Sequence, residues 1–292
     1  MNWCDAYIAV DWGTTNRRAY LVASDGAVTA RFEDDRGLLA IPAGTFEAEV
    51  AAIRARLGDW PMLLAGMVGA KGGWREVPYV ACPAGPEELV AGVLWVDPGR
   101  TGIVPGVAQR GAQADVMRGE EVQLVGAIAG GFLPRDGLAC HPGTHAKWIV
   151  AEGGAIARFR TTMTGEFYAL LRKHSILASQ LQDEVQPGAA FRACVEDGLQ
   201  GGSLLADLFG VRARYVLGVD DGNSASRVSG MLIGCDVRAG LELHEGGPIG
   251  LIGQPALCRL YADALAVAGH ETTQIEGESA FLAGIGLLAE ML

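Results

Sequence analysis

The chain has 292 residues, half of them apolar, and a formal net charge of −11. That length can bury a large core, as one large domain or two smaller ones. An acidic surface repels phosphate backbones, which argues against a nucleic-acid partner. Six scattered cysteines, Cys4, Cys82, Cys140, Cys194, Cys235 and Cys258, form no C-x-x-C pair and read as reduced, mostly buried thiols.

The first apolar run, residues 7–10, is closed by Asp11 and reads as a buried strand. No basic segment precedes it, and it is too short for a leader core or a membrane span, so the expected compartment is the cytoplasm, with no membrane partner. Residues 17–23 and 27–32 read as two more strands, joined by the turn former Ser24-Asp25-Gly26. Residues 45–57 have helical spacing, with Phe46, Val50, Ile53 and Leu57 on one face and Thr45 placed to cap the start. Residues 61–66 read as a buried strand, and 120–129 as a helix with an apolar stripe.

The pattern then restarts after the turn-rich segment 130–137, the expected domain junction. Residues 137–141, 146–151 and 155–159 are again three strand-like runs. Helices are expected at 166–181, 189–199, 224–238, 255–268 and 278–292, with a strand at 248–252. The two halves share one unit in the same order. Gly13-Thr14 leads to a strand, a Gly turn, and a strand ending Ala30-Arg31-Phe32; Gly143-Thr144 leads to the same sequence of features, ending Ala157-Arg158-Phe159. Backbone N–H groups in a Gly-Thr turn can form a small anion-binding concavity, and the threonine hydroxyl adds a donor.

Other phosphate and metal motifs are missing from the sequence. No Gly-Lys dipeptide occurs, so there is no P-loop, and no G-x-G-x-x-G follows the first strand. Cys140, His141 and His145 are close in sequence, but Pro142-Gly143 breaks any helix that could align them on zinc.

The segment from Ile8 through Asp11-Trp12-Gly13-Thr14-Thr15-Asn16 resembles the first phosphate loop of the actin, hexokinase and heat-shock-ATPase superfamily. Pro142-Gly143-Thr144-His145 resembles its second loop, with Pro142 where an acidic residue often stands. The stretch from Gly250 to Gly253, ahead of a helix, resembles its adenosine segment. Further stretches narrow the likeness: Gly66-Met67-Val68-Gly69 with Gly73-Trp74 and Pro78-Tyr79, Val116-Met117-Arg118-Gly119-Glu120-Glu121 with Gln123, Lys147-Trp148, Met163-Thr164-Gly165-Glu166, and Ala280-Phe281-Leu282-Ala283-Gly284-Ile285. Together they resemble the 2-dehydro-3-deoxygalactonokinase family nearly end to end.

The resemblance implies an α/β, two-domain actin-like ATPase (ribonuclease H-like) fold. Each domain has a central mixed sheet flanked by helices, with the nucleotide in the interdomain cleft. The expected domains are 1–133 and 134–292, with the last helix, 278–292, packing back on the first. It also implies an ATP- and Mg²⁺-dependent kinase of a small sugar acid. Asp11 is then the metal-side carboxylate, bound through water. Gly13, Thr14, Thr15, Asn16, Gly143, Thr144 and His145 serve phosphate, and Gly250 and Gly253 serve adenosine. Glu120 is the favoured general base, with Glu121 and Asp115 as alternatives. Arg18, Gly69, Lys71, Trp74, Arg75 and Arg118 are the candidate substrate residues, the cations for a carboxylate. A kinase of another sugar or sugar acid, and a non-catalytic sugar-sensing ATPase, stay open as alternatives, as does a homodimer.

Overall fold

The computed structural model describes residues 3, 5–243 and 246–292. Cys4, one of the six thiols, lies outside the described residues, as do Met1 and Asn2.

Strand β1 (Ala6–Trp12) is buried along its length except at Asp11, as a strand covered on both faces must be. It pairs antiparallel with β2 (Arg17–Ala23), which pairs antiparallel with β3 (Val28–Asp34). Helix α1 (Phe46–Leu57) buries the predicted face, Phe46, Val50, Ile53 and Leu57, in one cluster with Ile8, Val10 and Trp12. Thr45 sits at its N-cap, but its hydroxyl donates to the Pro42 carbonyl (2.8 Å) and makes no side-chain cap bond. Strand β4 (Met62–Gly66) lies parallel to β1 on its other side.

Residues 80–117 hold short elements that the sequence pattern left unread. These are β5 (Val80–Ala81), α2 (Pro86–Ala91), β6 (Leu94–Asp97), β7 (Thr101–Ile103), β8 (Val107–Gln109) and β9 (Asp115–Met117). Two of them complete a six-stranded sheet of order β3-β2-β1-β4-β7-β6, and the other three strands form the small sheet β5-β8-β9. Helix α3 (Glu120–Ala129) follows within its predicted bounds.

The restart is visible in the second large sheet. Its strands are β10 (Gly137–His141), β11 (Ala146–Glu152), β12 (Ala155–Thr162), β13 (Ile249–Gly253) and β14 (Thr272–Glu276), in the order β12-β11-β10-β13-β14. The first five strands of the larger sheet run in the corresponding order, a three-strand meander followed by two parallel strands.

The helices of this half are α4 (Thr164–His174), α5 (Ala189–Leu199), α6 (Leu204–Val216), α7 (Ser224–Leu241) and α8 (Pro255–Val267), and the chain continues from β14 into α9 (Gly277–Glu290). The predicted helix 166–181 ends early. The Ser175 hydroxyl takes the Leu171 carbonyl (2.6 Å) and accepts the Leu177 N–H (3.0 Å), so the side chain replaces helical bonds with its own.

The chain divides into two compact units. One comprises residues 1–135, 151–158 and 277–292; the other comprises 136–150 and 159–276. In the first unit α9 crosses α3 at van der Waals contact of their backbones. A Cβ on Gly284 would lie 2.0 Å from the Val122 carbonyl oxygen, and one on Gly126 would lie 1.9 Å from that of Ala280. No side chain fits there without separating the helices. Gly284→Ala is therefore expected to lower stability by about 2 kcal/mol, the usual cost of overpacking, in spite of alanine's better helix propensity. A denaturation midpoint equal to or above wild type would show that the crossing can open freely.

Candidate active site

The first unit places a carboxylate where β1 ends. Register puts Asp11 opposite Arg18 on β2, and Arg18 opposite Glu33 on β3. The guanidinium of Arg18 lies between them, 3.8 Å from Asp11 Oδ2 and 3.3 Å from Glu33 Oε1. Arg17, one residue earlier, points to the other face as strand alternation requires. It is 2 % exposed, pairs with Asp34 (2.7 Å) and Glu49 (2.9 Å), and stacks 4.8 Å from the Trp12 ring. Burial pushes the Asp11 carboxyl up to about 6; Arg18 opposes the shift, while Glu120 and Glu33 add to it.

The turn after β1 is held from behind. Gly13 donates to the Asn16 carbonyl (2.9 Å), while Gly37, Leu38 and Leu39 donate to the carbonyls of Thr15, Gly13 and Thr14 at 2.9, 3.0 and 3.1 Å. A Cβ on Gly37 would fall 2.3 Å from the Thr15 backbone, so only glycine allows this strap. Thr14, Thr15 and Asn16 are exposed, and the Asn16 amide donates to Glu33 (3.4 Å).

Helix α3 brings the second carboxylate. Gly119 at its N-cap has φ +111°, a conformation glycine adopts without strain, and its Cβ position would be 3.5 Å from the Cα of Gly66 at the end of β4. Glu120 is half-buried, accepts the Arg118 N–H (3.1 Å), and is near enough for its charge to raise Asp11. Glu121 is fully buried and accepts the Gly119 N–H with both oxygens (2.8 and 2.7 Å). Desolvation, with a smaller push from Glu120, carries its carboxyl up to about 8. Asp115 lies apart, in the small sheet, where its carboxylate accepts the Val116 N–H (2.8 Å).

Two predicted substrate residues meet in this unit. Arg118 is 9 % exposed, donates to the Val77 carbonyl (2.8 Å) and stacks 4.3 Å from the Tyr79 ring. Its Nε and NH1 are buried without a hydrogen-bond partner, and a Cβ on Gly69 would be 2.8 Å from NH1. Trp74 donates from its indole to Glu47 (2.8 Å), which also pairs with Arg75 (3.0 Å); Lys71 is exposed.

The second unit repeats the strapped turn with different residues. Glu166, in the first turn of α4, donates its N–H to the Thr144 carbonyl (2.9 Å), and its carboxylate bonds the His145 ring. A Cβ on Gly165 would be 2.4 Å from the Gly143 carbonyl oxygen, so glycine is again required. Thr164, which begins α4, donates to Asp236 Oδ2 (2.7 Å). Asp236 is 3 % exposed and also accepts from Trp148 (2.7 Å), Thr162 (2.7 Å) and the Tyr261 hydroxyl. Gly253 ends β13 with φ +143°, and its Cβ position would lie 3.6 Å from the Pro142 carbonyl oxygen, beside the turn. Gly250 is buried in mid-strand, paired with Ala139 and Thr273.

The family model for 2-keto-3-deoxy-galactonokinase matches residues 11–288. The chain belongs to the 2-keto-3-deoxy-galactonokinase family. It is 36 % identical over 297 residues to the 2-dehydro-3-deoxygalactonokinase of Escherichia coli K12, covering 97 % of each chain. A crystal structure from Sinorhizobium meliloti, assigned to the same activity, superposes with a TM-score of 0.88 at 32 % identity over 98 % of both chains. A more distant structure shares the fold alone: the activator of 2-hydroxyisocaproyl-CoA dehydratase from Clostridium difficile, with bound ADPNP. Its TM-score is 0.53 at 11 % identity, over 98 % of this chain and 95 % of that one. The architecture is the two-domain, actin-like one that the resemblance implied.

Among the predicted residues of this family member, the structure brings Asp11, Arg18, the 13–16 turn and Glu120 together in one unit. Gly143, Thr144, His145 and Gly253 gather in the other. Sequence reading missed Gly37, Gly165 as a packing residue, Glu33 and Asp236. Asp236 did leave a signal, a carboxylate inside the apolar run of α7, where an unpaired charge would be costly.

Two outcomes follow. A carboxyl whose folded pKa is raised keeps its proton in the native state after the unfolded chain has lost it. Its stabilisation is full below the unfolded value and is lost as pH rises through the folded one. For Asp11 that window ends near 6 and for Glu121 near 8. Stability should therefore fall by about 5 kcal/mol between pH 5 and 8.5, and Glu121→Gln should remove most of the fall above pH 6. Parallel pH profiles of denaturation midpoint for the two proteins would contradict this. Separately, Asp236→Asn should cost about 1–3 kcal/mol and speed amide exchange in residues 143–145 and 164–166 more than elsewhere. Uniformly faster exchange would show that Asp236 supports the core and not the turn.

Proposed function

We propose that the chain is an ATP-dependent kinase that phosphorylates 2-dehydro-3-deoxy-D-galactonate at its O6 hydroxyl, with MgATP as donor, in the cytoplasm. Support for the substrate comes from the family and from the Escherichia coli relative. Support for the chemistry comes from one observation: Asp11, at the strapped Gly13–Asn16 turn, and Glu120, at the start of α3, lie close enough to couple electrostatically. Among the described residues, no helix is long and apolar enough to cross a membrane.

Asp11 fits a magnesium ion bound through water. It is a hard oxygen donor, its side chain is 22 % exposed, and burial raises the cost of its charge, which a cation would offset. The metal's part is to neutralise charge on the phosphates as the phosphoryl group moves. Arg18 holds the Asp11 carboxylate in place while leaving it charged. Thr14, Thr15 and Asn16 donate to phosphate from one turn, which Gly13 closes through its own N–H on the Asn16 carbonyl. Gly143 and Thr144 donate from the other, and His145 is fixed there by Glu166. Gly253 lines the adenosine side. Glu120 takes the proton from the acceptor hydroxyl as that oxygen bonds to phosphorus, and the released ADP leaves with the bridging oxygen. Glu121, which is sequestered, holds Gly119 and so aims Glu120. Arg118 and Lys71 supply positive charge for the sugar-acid carboxylate, and Gly69 leaves room beside Arg118.

Coupled ADP release measured across sugar acids and neutral hexoses tests the reading, with phosphorus NMR of the product locating the new ester at O6. Neutral hexoses turning over as fast as the sugar acid would reject the substrate. Glu120→Gln should lower turnover by roughly 10²–10⁴-fold with MgATP binding unchanged. Asp11→Asn should also be slow, and should weaken the Mg²⁺ dependence of nucleotide binding. Near-normal turnover in Glu120→Gln would transfer the base to another carboxylate, with Asp115→Asn the next variant to make.

A further inference from the structure

Helix α6 is apolar on two faces. Leu208 and Val211 point inward and pack in one cluster with Val228 and Leu232 of α7. The outward face should be polar on an ordinary surface helix. Here Leu205 is 79 % exposed, Phe209 62 %, Val216 64 % and Leu217 74 %, and Tyr215 and Val219 extend the patch. Together these side chains expose on the order of 600 Å² of mostly apolar surface, the upper end for a monomer. A specific interface takes ~800 Å² per partner. The patch is close to that size with its rim included.

The order of side-chain sizes identifies what covers it. The exposed Ala206, Phe209 and Val216 and the half-buried Ala213 follow one another at three- and four-residue spacing, which is the spacing of a helix-packing seam. Read from the N-terminal end the sizes run small, large, small, large. Read backwards they run large, small, large, small. A second copy of the same helix, laid antiparallel and centred on Val211, sets Phe209 against Ala213 of the other copy and Val216 against Ala206. Leu205 and the C-cap Leu217 extend the apolar surface to the two edges of the seam. Large side chains fill the space over small ones, as packed cores require. A parallel pairing in register would set Phe209 on Phe209 and leave voids at the alanines. By helical spacing Asp207 and Arg214 fall away from the seam, while Arg212 lies along its edge, three residues from Phe209 and four from Val216. Gly210 sits beside the seam, and a Cβ added there would meet nothing.

We propose that the chain forms a two-fold homodimer through antiparallel packing of α6 on α6, with Phe209 over Ala213 as its centre. The contact is isologous, so it closes on itself and does not propagate into a filament. It is independent of the catalytic reading, because α6 contributes none of the proposed site residues.

The test is sedimentation of the full chain at micromolar concentrations, with circular dichroism as the check on folding. Wild type should be dimeric. Phe209→Ala should weaken the dimer on the order of thirtyfold, the loss expected of a central aromatic. Ala213→Phe should weaken it as well, by collision with Phe209 of the other copy. The double variant Phe209→Ala, Ala213→Phe exchanges large and small on both copies and should restore dimerisation. A wild-type chain that stays monomeric overturns the proposal. So does a pair of single variants that dimerise like wild type, or a double variant that dissociates as readily as the single ones.

Discussion

A carboxylate in a strand that is otherwise apolar constrains the first unit. Asp11 interrupts β1 where the strand leaves the core, and its charge is unfavourable there unless something answers it. The answer is built into the sheet. Antiparallel register sets Arg18 across from it, and Glu33 across from Arg18, so the cation is shared between two acids. The compensation is incomplete, which is why the carboxyl is pushed up to about 6. A site that binds a cation benefits from that incompleteness. An Asp11 fully neutralised by arginine would have little left to offer.

The two units solve one geometrical problem with unrelated residues. In each unit a Gly-Thr turn is held through its carbonyl oxygens, which leaves its outer edge open for the phosphate role proposed above. In the first unit the strap is the extended segment at Gly37; in the second it is the start of α4 at Gly165. Both straps need glycine, because any side chain would strike the turn's backbone. The straps differ in what anchors them in turn. The second leads through Thr164 to the buried Asp236, which collects donors from two strands and α8.

Much of this was legible in the sequence where periodicity or turn chemistry spans enough residues. The face of α1, the bounds of α3 and the repeated three-strand unit were all read from spacing and glycines. The likeness to the kinase family then gave the expectation that these turns serve phosphate. Strands β5 to β9 were not legible because two to four residues carry no period. Nor was the pairing of Arg17 and Arg18 to opposite faces used to separate their roles, although alternation alone implies it. Arg17 proves to be tied to Asp34 and Glu49, while Arg18 faces the carboxylate. The straps at Gly37 and Gly165 were invisible for a different reason. A glycine required by a distant backbone looks, in sequence, like any other loop glycine.

The crossing of α9 on α3 has a consequence for synthesis on the ribosome. The chain leaves the first unit after α3, touches it again only at residues 151–158 while it builds the second, and comes back for good with α9. At ~5–20 residues per second, α3 waits on the order of ten seconds for the helix that covers it. Throughout that interval the groove at Gly126 is uncovered, while the second unit, contiguous apart from one excursion, can already close. The part of the chain made first is thus the part completed last, and its exposed apolar helix is where a nascent-chain chaperone would find its longest opportunity.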